Sequence, residues 1–457
     1  ASLVVPDKPE SSPLWQYVTW NVSEDPVSDR PTEPLMPPEQ AEWLTAGQLE
    51  TLARWITNGA LEYRLPDTCS TAPLMEIDFP SAKECSICHP KQFEEWSRSM
   101  HAYAQHSPVF EAFNLTLQER TSGTLGTFCT RCHTPVGTAL GENGQRRNVN
   151  RSRLSMEGVT CVSCHRVDTS YYKASTRRHI VPGKLADGCM YGPFADAVSP
   201  DENAHGAAQR VSIRSSAFCG SCHDVFSPEG IRLEEAFSEW QNSPAAKNEH
   251  TCQHCHMGPV QGQPFRECER PVGRAATVPG VDPKMIPLRP LSDHTFAGPD
   301  YSLLPDTEFP HKLDWMYETD YRRTEMLTRH QQVTLDQLRR KNRKQLSIAR
   351  DKRYELLQNA AKIHVDAPGA ASCGDRIAVQ VDIQSLVSGH NFPTGFTEER
   401  QLWVSVELCD SFGRSVFTTG DFDHNGDLRD EHSNAVIAGH VDRDRHLLNF
   451  QSKFVGL

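Results

Sequence analysis

The sequence has little that would mark a membrane-spanning or nucleic-acid-binding protein. No apolar run among its 457 residues approaches the length of a transmembrane helix. The net charge of −12 leaves no basic excess for phosphate contacts, so nucleic acid is not an expected partner. Hydrophobic residues make up only 37% of the chain, and 31 prolines with 28 glycines predict a loop-rich structure. No secretion signal is visible at Ala1, which predicts a processed or incomplete chain.

Cysteine and histidine, by contrast, are plentiful, with 15 and 20 copies. Ten cysteines form five Cys-x-x-Cys pairs, and a histidine directly follows each pair. In chain order, motifs one to five are Cys85, Cys88 and His89; Cys129, Cys132 and His133; Cys161, Cys164 and His165; Cys219, Cys222 and His223; and Cys252, Cys255 and His256.

This spacing is the attachment signal for c-type haem. The two thiols bond to the porphyrin, and the histidine becomes an axial ligand of the iron. Zinc knuckles and redox Cys-x-x-Cys pairs need no histidine at the next position. We therefore predict five covalently attached haem c groups. Because this attachment takes place outside the cytoplasm, we expect a periplasmic or extracellular protein.

The first 62 residues form a separate predicted unit. Residues 34–38 read Pro-Leu-Met-Pro-Pro, and a capping box from Thr45 to Gln48 predicts a helix after them. This unit, 1–62, resembles the C-terminal half of a monohaem cytochrome c, in which Met36 would be an axial ligand. No attachment motif precedes Met36, so either the unit has lost its haem or the chain begins after a sixth site. A sixth haem is expected if the chain extends upstream of Ala1.

The remaining chain is predicted to form three further parts. Residues 63–298 contain the five motifs, which are separated by too few residues for each to lie in its own domain. This spacing predicts one mainly α, loop-rich pentahaem body. Residues 299–367 are predicted to hold a long helical segment of one helix or two, since no glycine or proline occurs from 311 to 367. Residues 368–457 show an apolar period of two, which predicts a β-sandwich-like domain that continues past the last residue.

Several segments around the motifs resemble one family. The segment from Cys85 to Pro90 is followed by Trp96-Ser-Arg-Ser-Met-His101-Ala. Segments around motifs three, four and five resemble the same family. These segments are similar to multihaem cytochromes of the cytochrome c-554 family, over roughly residues 80–300. The resemblance implies that three histidines bind the far side of a haem iron as distal ligands. They are His101, His205 and His294.

Two further distal ligands are predicted in less similar segments. His390 lies in Gly389-His390-Asn-Phe-Pro-Thr-Gly395, a loop that can hold an imidazole toward the haem body. For the fifth haem we select His179 in preference to His106, His250 and His311. With these five, every haem would have two histidine ligands.

A haem iron with two histidines carries electrons and leaves no place for a substrate. We therefore predict an electron carrier that exchanges electrons with redox partner proteins through closely packed haems. One alternative is a multihaem oxidoreductase that acts on a small nitrogen or sulfur compound at one open haem. The Cys-x-x-Cys-Lys motif of ammonia-forming nitrite reductase is absent from the sequence, and this absence weakens the case for an oxidoreductase. Another alternative is a homo-oligomer, a subunit of a larger redox assembly or an extracellular cytochrome polymer.

Overall fold

The structure is a computed structural model that describes most of the chain. The described residues are 4–5, 8–19, 44–57, 73–168, 173–197, 199, 204–227, 230–372 and 374–451. They divide into two compact units, Ala1–Pro73 and Leu74–Leu457. Met36 lies outside the described residues, so its predicted role as a ligand stays a prediction.

The α-helices of the described residues are short, with the exception of α14. They are α1 (Pro13–Val18), α2 (Ala46–Thr57), α3 (Ala82–Cys85), α4 (Pro90–Trp96), α5 (Met100–Tyr103), α6 (Pro108–Arg120), α7 (Thr130–His133), α8 (Pro135–Ala139), α9 (Val162–His165), α10 (Ser216–Gly220), α11 (Ala236–Gln241), α12 (Pro244–Lys247), α13 (Cys252–His256), α14 (Arg329–Gln358) and α15 (Asn434–Ile437).

The strands of the described residues pair two by two. They are β1 (Cys189–Gly192), β2 (Gly206–Gln209), β3 (Val225–Phe226), β4 (Arg232–Glu234), β5 (Val272–Arg274), β6 (Leu288–Pro290), β7 (Ala361–Asp366), β8 (Gln380–Ser385), β9 (Leu402–Val404), β10 (Val406–Cys409), β11 (Ser415–Thr419) and β12 (Leu448–Phe450). β1 and β2 are parallel; the antiparallel pairs are β3–β4, β5–β6, β7–β8, β10–β11 and β9–β12.

In the first unit, the predicted capping box at the start of α2 is confirmed. The Thr45 amide donates to the Gln48 side chain at 2.8 Å, and the Gln48 amide donates to the Thr45 hydroxyl at 3.4 Å. Each bond satisfies a backbone donor that the first turn of a helix leaves without a partner. Ile56, near the other end of α2, is fully buried.

The second unit has several small apolar clusters around the motifs. One joins Phe79, Val136, Leu154, Val162 and Ile180, and a second joins Ala82, Trp96, Ala102, Tyr103 and Phe309. Four of these ten residues lie on the short helices α3, α5 and α9, which carry predicted haem ligands or lead into a motif. Apolar burial therefore fixes the helices that present the site.

The long segment predicted between 311 and 367 contains one long helix, α14. Thr328 caps its start, because its hydroxyl accepts the Gln331 amide at 3.2 Å. Its buried positions are three or four residues apart, which places them on one face. They are Leu335, Leu338, Asn342 and Gln345. Residues 361–366 form strand β7 and thus extend the β region toward the helix.

The strands after α14 do not confirm a β-sandwich. A sandwich buries the inner face of each sheet, yet Ile363 on β7 and Ile383 on β8, which lie opposite each other, are 64% and 45% exposed. The strands between 361 and 450 pair in twos. In the described part of the chain, no helix has both the length and the apolar character needed to cross a membrane.

The α14 face gives a stability prediction. Leu335→Ala should lower the free energy of unfolding by about 2–5 kcal/mol, because Leu335 is 1% exposed and its loss leaves a cavity. Val333→Ala on the same helix is the matched control, since Val333 is 49% exposed. Denaturant unfolding of the haem-loaded protein, followed by circular dichroism, measures both. Equal losses for the two variants would contradict the packing of this face.

Candidate functional site

Each motif places its two cysteines and its histidine on one face of a helical turn. In motifs one to four, the histidine amide donates to the carbonyl oxygen of the first cysteine at 2.8, 3.3, 2.9 and 3.0 Å. Motif five lies wholly within α13. Residues three and four apart share a helix face. The spacing in the sequence thus becomes a common orientation of two thiols and one imidazole.

Three of the motif histidines are held to the backbone through their Nδ1 atoms. His89, His133 and His165 approach the backbone oxygens of Ala275, Ala104 and Tyr191 at 2.8, 3.1 and 2.7 Å. A neutral imidazole that donates from Nδ1 to a carbonyl keeps its lone pair on Nε2. This arrangement orients the ring and leaves Nε2 available to a metal.

Four motif histidines face a second histidine from a distant part of the chain. The distances between ring centres are nearly the same in all four pairs. The pairs are His89 with His205 at 6.1 Å, His223 with His101 at 6.2 Å, His165 with His294 at 6.4 Å and His256 with His390 at 6.2 Å. The structure thus brings together eight of the ten histidines that the sequence singled out.

This separation fits one metal ion between two imidazoles. A metal–imidazole bond is about 2 Å long and the nitrogen lies roughly 1 Å from the ring centre, so two rings on one iron have centres about 6 Å apart. Motifs one, three, four and five therefore fit a haem c whose iron takes a histidine on each side. When bound, haem c supplies one-electron redox chemistry.

Burial keeps most of these imidazoles neutral. It lowers the pKa of His101 to about 3 and the pKa values of His165, His256 and His294 to about 4. Only a neutral imidazole has a free lone pair for a metal. These side chains are therefore in the ligating form at any pH near neutrality.

Motif four differs in what its histidine faces. The Nδ1 atom of His223 lies 3.4 Å from the carboxylate of Glu234, at the end of β4. This carboxylate raises the pKa of His223 to about 9, because it stabilises positive charge on the ring. A carboxylate partner increases the basicity of a metal-bound imidazole more than a carbonyl does. Because of Glu234, the electrostatic environment of the histidine in motif four differs from that of His89, His133 and His165, which bond to carbonyl oxygens.

Motif two differs in its neighbouring ring. The phenyl ring of Phe110, on α6, lies parallel to the His133 imidazole within 4°, with centres 3.7 Å apart. At this distance the phenyl ring covers the face of the imidazole and does not lie in line with its nitrogen atoms. Phe110 and the bond to Ala104 together fix the orientation of His133.

His179, predicted as the fifth distal ligand, bonds to a carboxylate. Its Nδ1 atom lies 2.8 Å from the Asp168 carboxylate. Its role as the fifth distal ligand stays a prediction. His254, inside motif five, has a structural role: its Nδ1 accepts the Thr251 amide at 3.0 Å at the start of α13.

Neighbouring motifs contact one another through their cysteines. The side chain of Cys85 interacts with that of Cys161, that of Cys132 with that of Cys222, and that of Cys219 with that of Cys252. These contacts link motif one to motif three, and motif four to both motif two and motif five.

Arg178 links motifs three and four. It donates to the backbone oxygen of Ser163 at 3.0 Å and to the hydroxyl of Ser221 at 2.8 Å, and it also bonds to the backbone oxygen of Phe218. Its guanidinium also lies over the Phe218 ring. The side chain is buried. It therefore holds the two motifs together at the centre of the site.

These features define the class of a c-type cytochrome. Residues 84–166, which contain motifs one to three, match the family described as cytochrome c554 and c-prime. The predicted resemblance is thus confirmed over less than a fifth of the chain, and the match supports haem c as cofactor and an electron-transfer role. No curated protein and no solved structure matches the chain.

Sequence reasoning missed several residues of the site. Phe110, Arg178 and Glu234 all reach the site from outside the motifs. The sequence gave a weak signal for Arg178, because this residue directly precedes the predicted ligand His179. It gave none for Phe110 and Glu234, because only the folded chain brings them to a histidine.

The Glu234 contact yields an electrochemical prediction. Glu234→Gln should raise the reduction potential of one haem by on the order of 50 mV, because the lost negative charge favoured the oxidised iron. A spectroelectrochemical titration measures the shift. Glu235→Gln, the same change one residue along, is the control. A shift of equal size in both variants would contradict a specific effect of Glu234 on His223.

Proposed function

We propose that this chain is a multihaem c-type cytochrome that relays electrons through five covalently attached haems. The ten motif cysteines would form the thioether bonds, and the five motif histidines would be proximal ligands. The observation that carries the proposal is the set of four histidine pairs with ring centres 6.1–6.4 Å apart. On this proposal His205, His101, His294 and His390 are the distal ligands of motifs one, four, three and five.

The contacts between motifs support a relay. Motif one adjoins motif three, which Arg178 joins to motif four; motif four in turn adjoins motifs two and five. Haems attached to adjoining motifs lie close together, so an electron can pass between them without a bound substrate. On this arrangement motif four is the branch point of the relay.

Location and partners follow from the cofactor. Covalent haem attachment takes place outside the cytoplasm, so we propose a periplasmic or extracellular site of action with redox proteins as donor and acceptor. Two imidazoles bound to one iron favour low-spin, six-coordinate haem, which suits repeated electron transfer.

Single histidine substitutions test the ligand assignment. His101→Ala, His205→Ala, His294→Ala and His390→Ala should each convert one low-spin haem to a high-spin haem, because each removes one axial ligand. Electron paramagnetic resonance of the oxidised protein measures the change. His330→Ala is the control, since His330 is exposed on α14. An unchanged spectrum for any of the four would refute that ligand.

One observation favours a second function, a small-molecule oxidoreductase at motif two. The four histidine pairs belong to motifs one, three, four and five, and none of them includes His133 of motif two. If His179 does not bind this iron, one coordination position is open to a small nitrogen or sulfur compound.

Carbon monoxide distinguishes the carrier from the oxidoreductase. For the carrier we expect no spectral change when carbon monoxide is added to the reduced protein, because every iron has two ligands. Binding of one equivalent would favour the oxidoreductase. In the carrier, His179→Ala should create a carbon monoxide site at motif two; if it does not, His179 is not the fifth ligand.

A further inference from the structure

We propose that Glu239 is a positioning residue that holds the His390 loop on the haem body and so determines whether motif five has its second ligand. The loop comprises residues 388–395. This inference rests on the proposed function, because it requires the His256–His390 pair to share one iron.

Glu239, on α11, receives three hydrogen bonds from the loop. The Asn391 amide donates to one carboxylate oxygen at 3.1 Å, and the Thr394 hydroxyl donates to the same oxygen at 2.5 Å. The Asn391 side chain donates to the other oxygen at 2.5 Å. Hydrogen bonds to a carboxylate are about twice as strong as those between neutral groups. One side chain thus holds the loop on both sides of Phe392 and Pro393.

Asn391 connects this anchor to the ligand. Its carbonyl oxygen lies 2.8 Å from Nδ1 of His390, while its amide and side chain bond to Glu239. The anchor therefore acts on the backbone that orients the His390 ring. A second attachment, from the Ala245 amide to the Ser388 oxygen at 3.1 Å, holds the start of the loop.

The helix that carries Glu239 is itself attached to the site. The Phe237 amide donates to the carbonyl oxygen of His223 at 2.9 Å, and the Trp240 indole donates to the His250 oxygen at 2.8 Å. Helix α11 is thus bonded to motif four and to the segment just before motif five. A ligand that is anchored to such a helix keeps its position relative to both motifs.

The loop depends on this anchor because it has no regular secondary structure of its own from 388 to 395. Ordering a loop costs conformational entropy at every residue. When the three bonds are removed, the loop can leave the haem body and His390 leaves with it. The iron of motif five then accepts an external ligand.

Cyanide binding to the oxidised, haem-loaded protein tests the inference. Glu239→Ala should increase cyanide affinity at one haem at least roughly tenfold, which corresponds to the loss of one charge-assisted hydrogen bond. The same haem should show a high-spin signal that free imidazole reverses. Glu239→Gln should give an intermediate effect, because an amide can accept through one oxygen only.

Two further variants keep the test independent of folding defects. Thr394→Val removes one bond from the loop side and should give a smaller increase in cyanide affinity at the same haem. Glu235 is the residue just before α11, and Glu235→Gln should leave cyanide binding unchanged. Haem content and circular dichroism establish that each variant has folded.

His390→Ala separates failure of this inference from failure of the proposed function. If His390→Ala creates a cyanide site and folded Glu239→Ala and Thr394→Val do not, the anchor is refuted and the ligand pair stands. If His390→Ala leaves every haem low-spin, the proposed pair is refuted, and with it the inference. Matching cyanide sites in His390→Ala and Glu239→Ala support both.

Discussion

On the proposed function, the site depends on a single constraint: two imidazoles must lie about 6 Å apart, ring centre to ring centre, for one iron to bind both. Four pairs satisfy this constraint with residues more than 100 positions apart in the chain. Each haem would thus connect distant segments, as disulfides do in small secreted domains.

The charged side chains near the motif histidines differ from motif to motif, and they differ most at motif four. Glu234 adds negative charge beside His223, whereas the buried Arg178 adds positive charge between motifs three and four. Negative charge stabilises the oxidised iron and positive charge the reduced iron. On the proposed relay, these two residues would adjust the potential of the branch point in opposite directions.

The sequence predicted the parts of the site that local patterns encode. The five motifs follow from spacing alone, and His101, His205 and His294 follow from residues that adjoin them in the chain. A long helical segment of one helix or two was predictable because the absence of glycine and proline is a local feature, and the structure places α14 in it. Phe110 and Glu234 were not predictable, because each meets its histidine through tertiary contact only, and Glu239 was not, because it meets the His390 loop in the same way. β7 was missed because nothing before residue 367 interrupts the helical pattern, and its pairing with β8 decides its conformation.

The length of chain between paired histidines has a consequence for biogenesis. A secreted chain emerges from its amino terminus, and its parts fold in that order. His89, His165 and His256 therefore emerge well before His205, His294 and His390. A haem attached at once would wait for its second ligand until more than 100 further residues had crossed the membrane. The last of these to be completed is that of motif five, whose ligand arrives with the β region. On the proposed function, each such haem would thus pass through a stage during export in which its iron lacks the second histidine, and the finished fold would end that stage.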